Sequence, residues 1–390
     1  MASFLARRLL RALITLLVFQ TILFLLIQAL PWDFVTLTRM SATYQRVLRH
    51  ALGLDLPLWQ QYFNWMKGFF TGDLGTSFQY RGIPVFSLFL TRFPRTLLLF
   101  LPGTLAGFSL GLWLGKRIGW RRGGGVELGL TLGGVAFYTS FAPWLAFVLI
   151  NIFALWLRWL PAENMLSARV WAGVPLNTEQ VIWPMLVTFI LDYLATLLLW
   201  YTTRRSPWRS PTRIFGSLGI VTLTMGLWIG SGLLKYALDI LAHLTLPLTT
   251  LILLSFGVLA AFGGGLTFDL MRAAMLAVLG EDHVLAARAK GLGDGRVRDG
   301  HVARLAMLPV LARFIVQLPL VIIGSFVIER VFFWQGAGEL LFQAVDFYDL
   351  PVILGILSLV GVLMLLAHVF LDVLGALLDP RLRDQVPRAR

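Results

Sequence analysis

Few residues in this sequence have the type and spacing to do chemistry. Asp192 in FILDYLATLLLW, Glu329 in FVIERVFF, and His368 with Asp372 in AHVFLDVL are ionisable groups set in apolar runs. Charge is costly in such surroundings, so these groups are candidates for proton transfer or ligand binding. His368 and Asp372 stand four apart and would share a helix face. The plainer reading is that these groups are neutral, hydrogen-bonded within the bundle, or wet near helix ends. No H-E-x-x-H, no G-x-S-x-G and no paired-histidine metal spacing occurs. GLWLGKR (111–117) comes nearest to a phosphate loop, but it has three residues between its glycines instead of four. It also carries Arg117 where Ser or Thr should hold magnesium. On this reading the chain binds no catalytic metal or cofactor, and energy from ATP and Mg must come through a partner.

Composition decides what must position these residues. Of 390 residues, 58% are hydrophobic and 14% charged, and the mean hydropathy is +0.78. Soluble domains run near a quarter charged, so the chain belongs in a bilayer. With no cysteine, disulfides, thiolate metal sites and cysteine nucleophiles are excluded. Net charge is +13, but membrane proteins collect Lys and Arg in cytoplasmic loops for orientation alone.

A crossing helix needs about 20 apolar residues. Eight such runs are readable, at about 9–30, 96–115, 128–157 (interrupted at Pro143), 180–202, 214–236, 246–268, 310–330 and 351–375. Residues 31–95 are mixed and aromatic and form an extracytoplasmic segment. Within it GLDLPLWQQYFNWMKGFF has helical periodicity, which predicts an ordered element. The expected fold is an all-α polytopic bundle with both termini cytoplasmic. Counting 7–11, 116–122, 204–213, 272–304 and 381–390 as inside places 21 of the 33 Lys and Arg there. The positive charge is then mostly topology, and nucleic acid is not a partner.

Gly103, Gly107, Gly111 and Gly115 recur every four residues in the second span, giving a helix face without side chains that admits a close neighbour. A sliding face is the sharper alternative to plain packing. The stretch AARAKGLGDGRVRDGHVARLAMLP (286–309) is polar and basic between apolar runs. Residues 281–290 read as a short helix kept thin by Ala286, Ala287 and Ala289, and stopped by Gly291 in a left-handed conformation. Asp294 is placed to cap a second helix from about 295. The pair forms a thin basic knob that could enter a groove on a soluble protein.

This stretch resembles the EAA loop of ABC-importer permeases in the peptide/nickel class, with ARAKGL, a basic helix, and LP eighteen residues after the glycine. RRLLRALITLL…ALP at the N-terminus, GLDLPLWQQYFNWMKGFFTGDLGTSF (53–78), RFPRTLLLF (92–100) and RWLPAENM (158–165) also resemble the family. So do GSFVIERVFFWQGAGELLFQAVDFYDLPVILG (324–355) and the terminal LLDPRLR. Leu285 stands where the broader family has Glu, Leu305 where it has Asn, and Gln335 where it has Pro.

The resemblance implies a division of the chain. It gives an anchor helix at 1–30, the extracytoplasmic segment 31–95, spans two and three within 96–165, and an inserted hairpin at 166–240. A core permease domain follows at 241–380 with its EAA-type loop at about 270–308, and then a tail at 381–390. It implies Ala286, Ala287, Arg288, Ala289, Lys290, Gly291, His301 and Pro309 as the ATPase-coupling loop. It further implies a second related permease or a second copy, two ABC ATPases, an extracytoplasmic solute-binding protein and a lipid bilayer as partners. The family's cargo includes dipeptides, oligopeptides, nickel chelates and some oligosaccharides. The readings set against it are a membrane enzyme acting on a lipid-linked substrate through Asp192 or His368, and a passive channel or scaffold.

Overall fold

The computed structural model describes residues 2–29, 42–51, 55–80, 82–120, 124–203, 209–258 and 267–378. These are helices joined by short turns, with one isolated antiparallel bridge between Thr76 and Pro84. Among the described residues, six helical segments are long and apolar enough to cross a membrane: Ala6–Gln28, Val85–Trp120, Glu179–Thr202, Pro211–Ser231, Leu234–Leu254 and Leu350–Val369. The chain divides into two compact units, 1–90 with 340–390, and 91–339.

In the first unit, α1 (Ala2–Gln28) packs on α15 (Leu350–Leu378). Gly361 lets the two approach, since a Cβ there would fall 2.5 Å from the Phe19 ring. Gln20 and Ser358 share a buried hydrogen bond of 3.0 Å across the same contact. Helix α2 (Ala42–Ala51) precedes α3 (Leu58–Thr71), which lies on α1 through Tyr62 to Thr21 at 2.8 Å and an edge-on Phe24–Tyr62 contact. The periodic 53–70 stretch is thus an ordered helix. Asp349 ties the turn after α3 to the start of α15, accepting from the Ser77 hydroxyl and the Gln79 N–H.

The second unit holds most of α4 (Val85–Trp120), then α5 (Gly125–Thr139), α6 (Ala142–Leu149, extended by π-helix Ile150–Trp156) and the single turn α7 (Ala168–Trp171). There follow α8 (Glu179–Thr202), α9 (Arg209–Ser231), α10 (Leu234–Val258), α11 (Thr267–Leu279), α12 (Asp282–Ala289) and α13 (Ala303–Val331). Helix α14 (Ala337–Asp346) runs across the boundary between the units. A buried apolar cluster joins α4, α6, α8 and α10, with Leu99, Ala146, Ile182 and Ile240 at its centre.

Several sequence expectations need correcting. The run 128–157 is two helices, because Pro143 cannot donate within a helix and sits instead in the first turn of α6. The gap expected between spans at 237–245 is helical, and α9 turns into α10 at Gly232 with φ +71. The polar residues there, Asp239 and His243, are both satisfied on the helix. Asp239 accepts from the Ser167 N–H at 3.0 Å and Trp171 Nε1 at 2.9 Å, and His243 Nδ1 lies 2.8 Å from the Asp239 carbonyl. Helix α4 begins at Val85, ahead of the span expected from about 96. At 36 residues α4 is longer than the ~20 residues a crossing needs, and its first turns are buried in protein at Val85, Leu88 and Phe89.

Candidate functional site

The thin basic knob is a folded element. Helix α12 runs from Asp282 to Ala289 and places Val284 and Ala287, three apart, on its buried side. They pack with Met271, Met275, Val297, Val302 and Ala306. Leu285, Ala286, Ala289 and Lys290 are exposed on the other side. Gly291 ends the helix with φ +71, and its N–H bonds the Arg288 carbonyl at 2.9 Å. The next N–H, of Leu292, reaches the Ala287 carbonyl at 3.4 Å, completing a Schellman stop.

Beyond the stop, a single turn Asp294–Arg296 leads through π-helix Val297–Val302 into α13. The N-cap is Gly293 and makes no side-chain capping bond, so Asp294 does not cap as its type suggested. It sits inside the first turn, where its charge suits the helix dipole. Pro309 lies inside α13, so the knob and the following span share one helix. Arg288, His301, Arg304 and Pro309 are exposed.

The knob is fastened to the C-terminal end of α4. Lys116 Nζ reaches Asp299 Oδ1 at 3.2 Å, and Arg298 forks onto the same carboxylate at 3.0 and 3.1 Å. Burial raises the Asp299 pKa, but the Arg298 hydrogen bond and the Lys116 charge outweigh it and hold the group below its usual value. The Arg288 guanidinium lies 5.5 Å from the Trp120 ring. At Gly119 a Cβ would stand 2.9 Å from Met275 Cβ, so α4 and α11 are nearly in backbone contact there. Nearby, Arg272 of α11 pairs with Glu127 of α5. The knob is thus tied to α4, packed on α11 and continuous with α13.

Residues 103–384 match the family described as binding-protein-dependent transport system inner membrane component, and residues 1–100 match its N-terminal region. The chain belongs to this family. It is a multi-pass membrane component of a transport system. It is similar to the di/tripeptide permease protein DppB of Pseudomonas aeruginosa, at 30% identity over 99% of this chain and 100% of the relative. It is also similar to the oligopeptide permease protein AppB of Bacillus subtilis, at 28% identity over 98% and 99%. The dipeptide permease protein DppB of Escherichia coli is 28% identical over 99% and 100%.

In this membrane component Gly103, Gly107, Gly111 and Gly115 are all buried on α4. A Cβ at Gly103 would fall 2.5 Å from Leu251 Cδ2 of α10. Sequence reading missed Gly119, although it continues the same four-residue spacing onto α11. Lys116 and Asp299 were also missed, because a basic residue at a span end was explained by orientation alone.

Asp192, Glu329 and His368 each have a hydrogen-bond partner close by. Asp192 accepts from Thr224 across α8 and α9 at 2.8 Å, and Glu329 accepts the Gly338 and Glu339 N–H groups at 2.8 and 3.2 Å. His368 Nδ1 is 2.8 Å from its own helix carbonyl at Met364. The Asp372 side chain lies outside the described residues. Among the described residues no cluster of His, Asp or Glu could hold a metal.

Proposed function

We propose that this chain is the membrane-spanning permease subunit of an ATP-driven importer of peptides. The observation that carries the coupling role is the outward face of α12, where Leu285, Ala286 and Ala289 stand exposed beside a glycine stop on a knob rigidly built into α4, α11 and α13. Peptide cargo is supported by the relatives, whose names specify dipeptides, di/tripeptides and oligopeptides. Nickel chelates have no such support. The partners are a second permease or second copy, two ABC ATPases that bind ATP and Mg, and an extracytoplasmic binding protein. Closure of the ATPases on ATP pulls the docked knobs, and the helices fastened to them switch the pathway between its two openings.

The spans are eight: α1, α4, α5 with α6 as one broken crossing, α8, α9, α10, α13 and α15. The distribution of lysines and arginines supports a topology with the knob, residues 203–213 and both termini inside. The hairpin α8–α9 is an addition to the family pattern. The enzyme alternative weakens because Asp192 and His368, the groups it would use, are each hydrogen-bonded to a local partner.

The test is uptake. Cells lacking this chain should lose accumulation of a labelled di- or tripeptide and regain it from a plasmid copy, and unchanged accumulation would sink the reading. The absence of native cysteine also makes orientation measurable. An impermeant thiol reagent on intact cells should label Gln79→Cys, an exposed position, and spare Arg388→Cys. Labelling of Arg388→Cys from outside would reverse the topology.

A further inference from the structure

Arg95 is a buried guanidinium on α4, and two other segments meet on it. Its Nη2 donates to Oε1 of Glu179, the first residue of α8, at 2.5 Å. Its Nη1 donates to both the carbonyl and the side-chain oxygen of Gln335, in the turn after α13, at 3.3 and 3.1 Å. The same turn is held by Trp334 Nε1 donating to the Arg95 carbonyl at 2.9 Å and by the Ala337 N–H donating to the Thr96 hydroxyl at 2.8 Å. Arg92, one turn earlier, adds bonds to the same two Gln335 oxygens at 3.2 and 3.3 Å. Two guanidinium groups thus converge on one glutamine, and the Glu179 carboxylate neutralises the buried one.

The placement is informative. Arg95 and Lys116 are 21 residues apart on one helix, a rise of about 31 Å, which matches the thickness of the hydrocarbon core. Along a straight helix that spacing would set the Arg95 cluster and the Lys116–Asp299 clamp near opposite faces of the membrane. A buried cation stripped of its counter-ion is strongly unfavourable, so Glu179 controls whether Arg95 stays aimed at the turn.

We propose that Glu179 is a positioning residue for transport. It holds Arg95 against the Gln335 turn, so that the hairpin α8–α9 and the far end of α13 move with α4 when the knob moves. This gives the added hairpin a mechanical role at the face opposite the ATPases, and it rests on the importer reading.

The experiment uses the whole complex in proteoliposomes, measuring labelled peptide moved per ATP hydrolysed. Glu179→Gln keeps the shape and an acceptor oxygen but removes the charge. The complex should assemble and still hydrolyse ATP, with the peptide-to-ATP ratio falling several-fold. Glu179→Asp should restore part of that ratio. Gln335→Pro approaches from the other side, removing the side-chain acceptor while leaving the Glu179–Arg95 pair, and should lower the ratio as well. An unchanged ratio in both Glu179→Gln and Gln335→Pro would overturn the proposal. So would a parallel loss of assembly and hydrolysis with a normal ratio in the surviving complex, because that is what a purely structural role predicts. If the unmodified complex shows no peptide-dependent hydrolysis, the importer reading fails instead.

Discussion

Replacing Gly291 with valine is expected to abolish most transport while leaving the membrane bundle folded. The cause is conformational and local. Gly291 holds φ +71, and a Cβ added there meets nothing within 4 Å, so crowding is not the issue. A left-handed backbone costs an ordinary L-residue about 1–2 kcal/mol, and a β-branched one more. The two N–H bonds of the Schellman stop depend on that conformation. Losing it redirects the chain between α12 and the π-helical turn, and so tilts the exposed face of α12. Gly291→Asn is the companion variant, because asparagine tolerates the left-handed region, and it should retain most activity. Uptake and ATPase retention, measured side by side, read both. Equal loss in the two variants would mean that the backbone conformation is not what matters.

The second large effect is expected at Ala287, by a route that differs from the one its sequence suggests. A small residue in a thin docking helix implies a partner's groove shaped for a methyl. The structure instead turns Ala287 inward, 4% exposed, among Val284, Val297, Val302 and Met275 of its own chain. Tryptophan there overpacks a filled interior, which costs about 3 kcal/mol or more. Ala287→Trp should therefore lower the thermal stability of the purified chain and loosen the knob before any partner is added. Ala286→Trp projects outward and should leave that stability unchanged, yet it should displace the ATPase. The pair separates knob integrity from docking in one melting experiment and one co-purification. Equal melting of the two variants would contradict the assigned faces of α12.

Ala287 also shows where the sequence runs out. The helix, its length and its glycine stop are legible because they follow from local backbone chemistry at Ala289, Lys290 and Gly291. Which alanine faces inward depends on tertiary packing, and the one local clue was Val284 three residues earlier. The bundle's apolar runs were likewise readable, whereas 237–245 was not. Asp239 and His243 are polar, and Ser167 and Trp171 arrive from 68 or more residues away to satisfy the carboxylate. Pro143 announced an interruption without showing that the chain ends one helix and starts another. Lys116 and Asp299 are far apart in sequence and ordinary in type, so their pairing carried no local signal. The same holds for Glu179 and Arg95, 84 residues apart.

The central claim is that the exposed face of α12 is where an ATPase takes hold of this chain. It is tested most directly by placing a photoreactive amino acid at Leu285, in the intact complex in native membranes, with Ala287 as the buried control. Illumination should join the Leu285 position to a subunit carrying a G-x-x-x-x-G-K-[ST] loop, and the yield should change when ATP is added. The Ala287 position should give adducts within the chain alone. Adducts from Leu285 confined to lipid or to the chain itself, with and without ATP, would contradict the account.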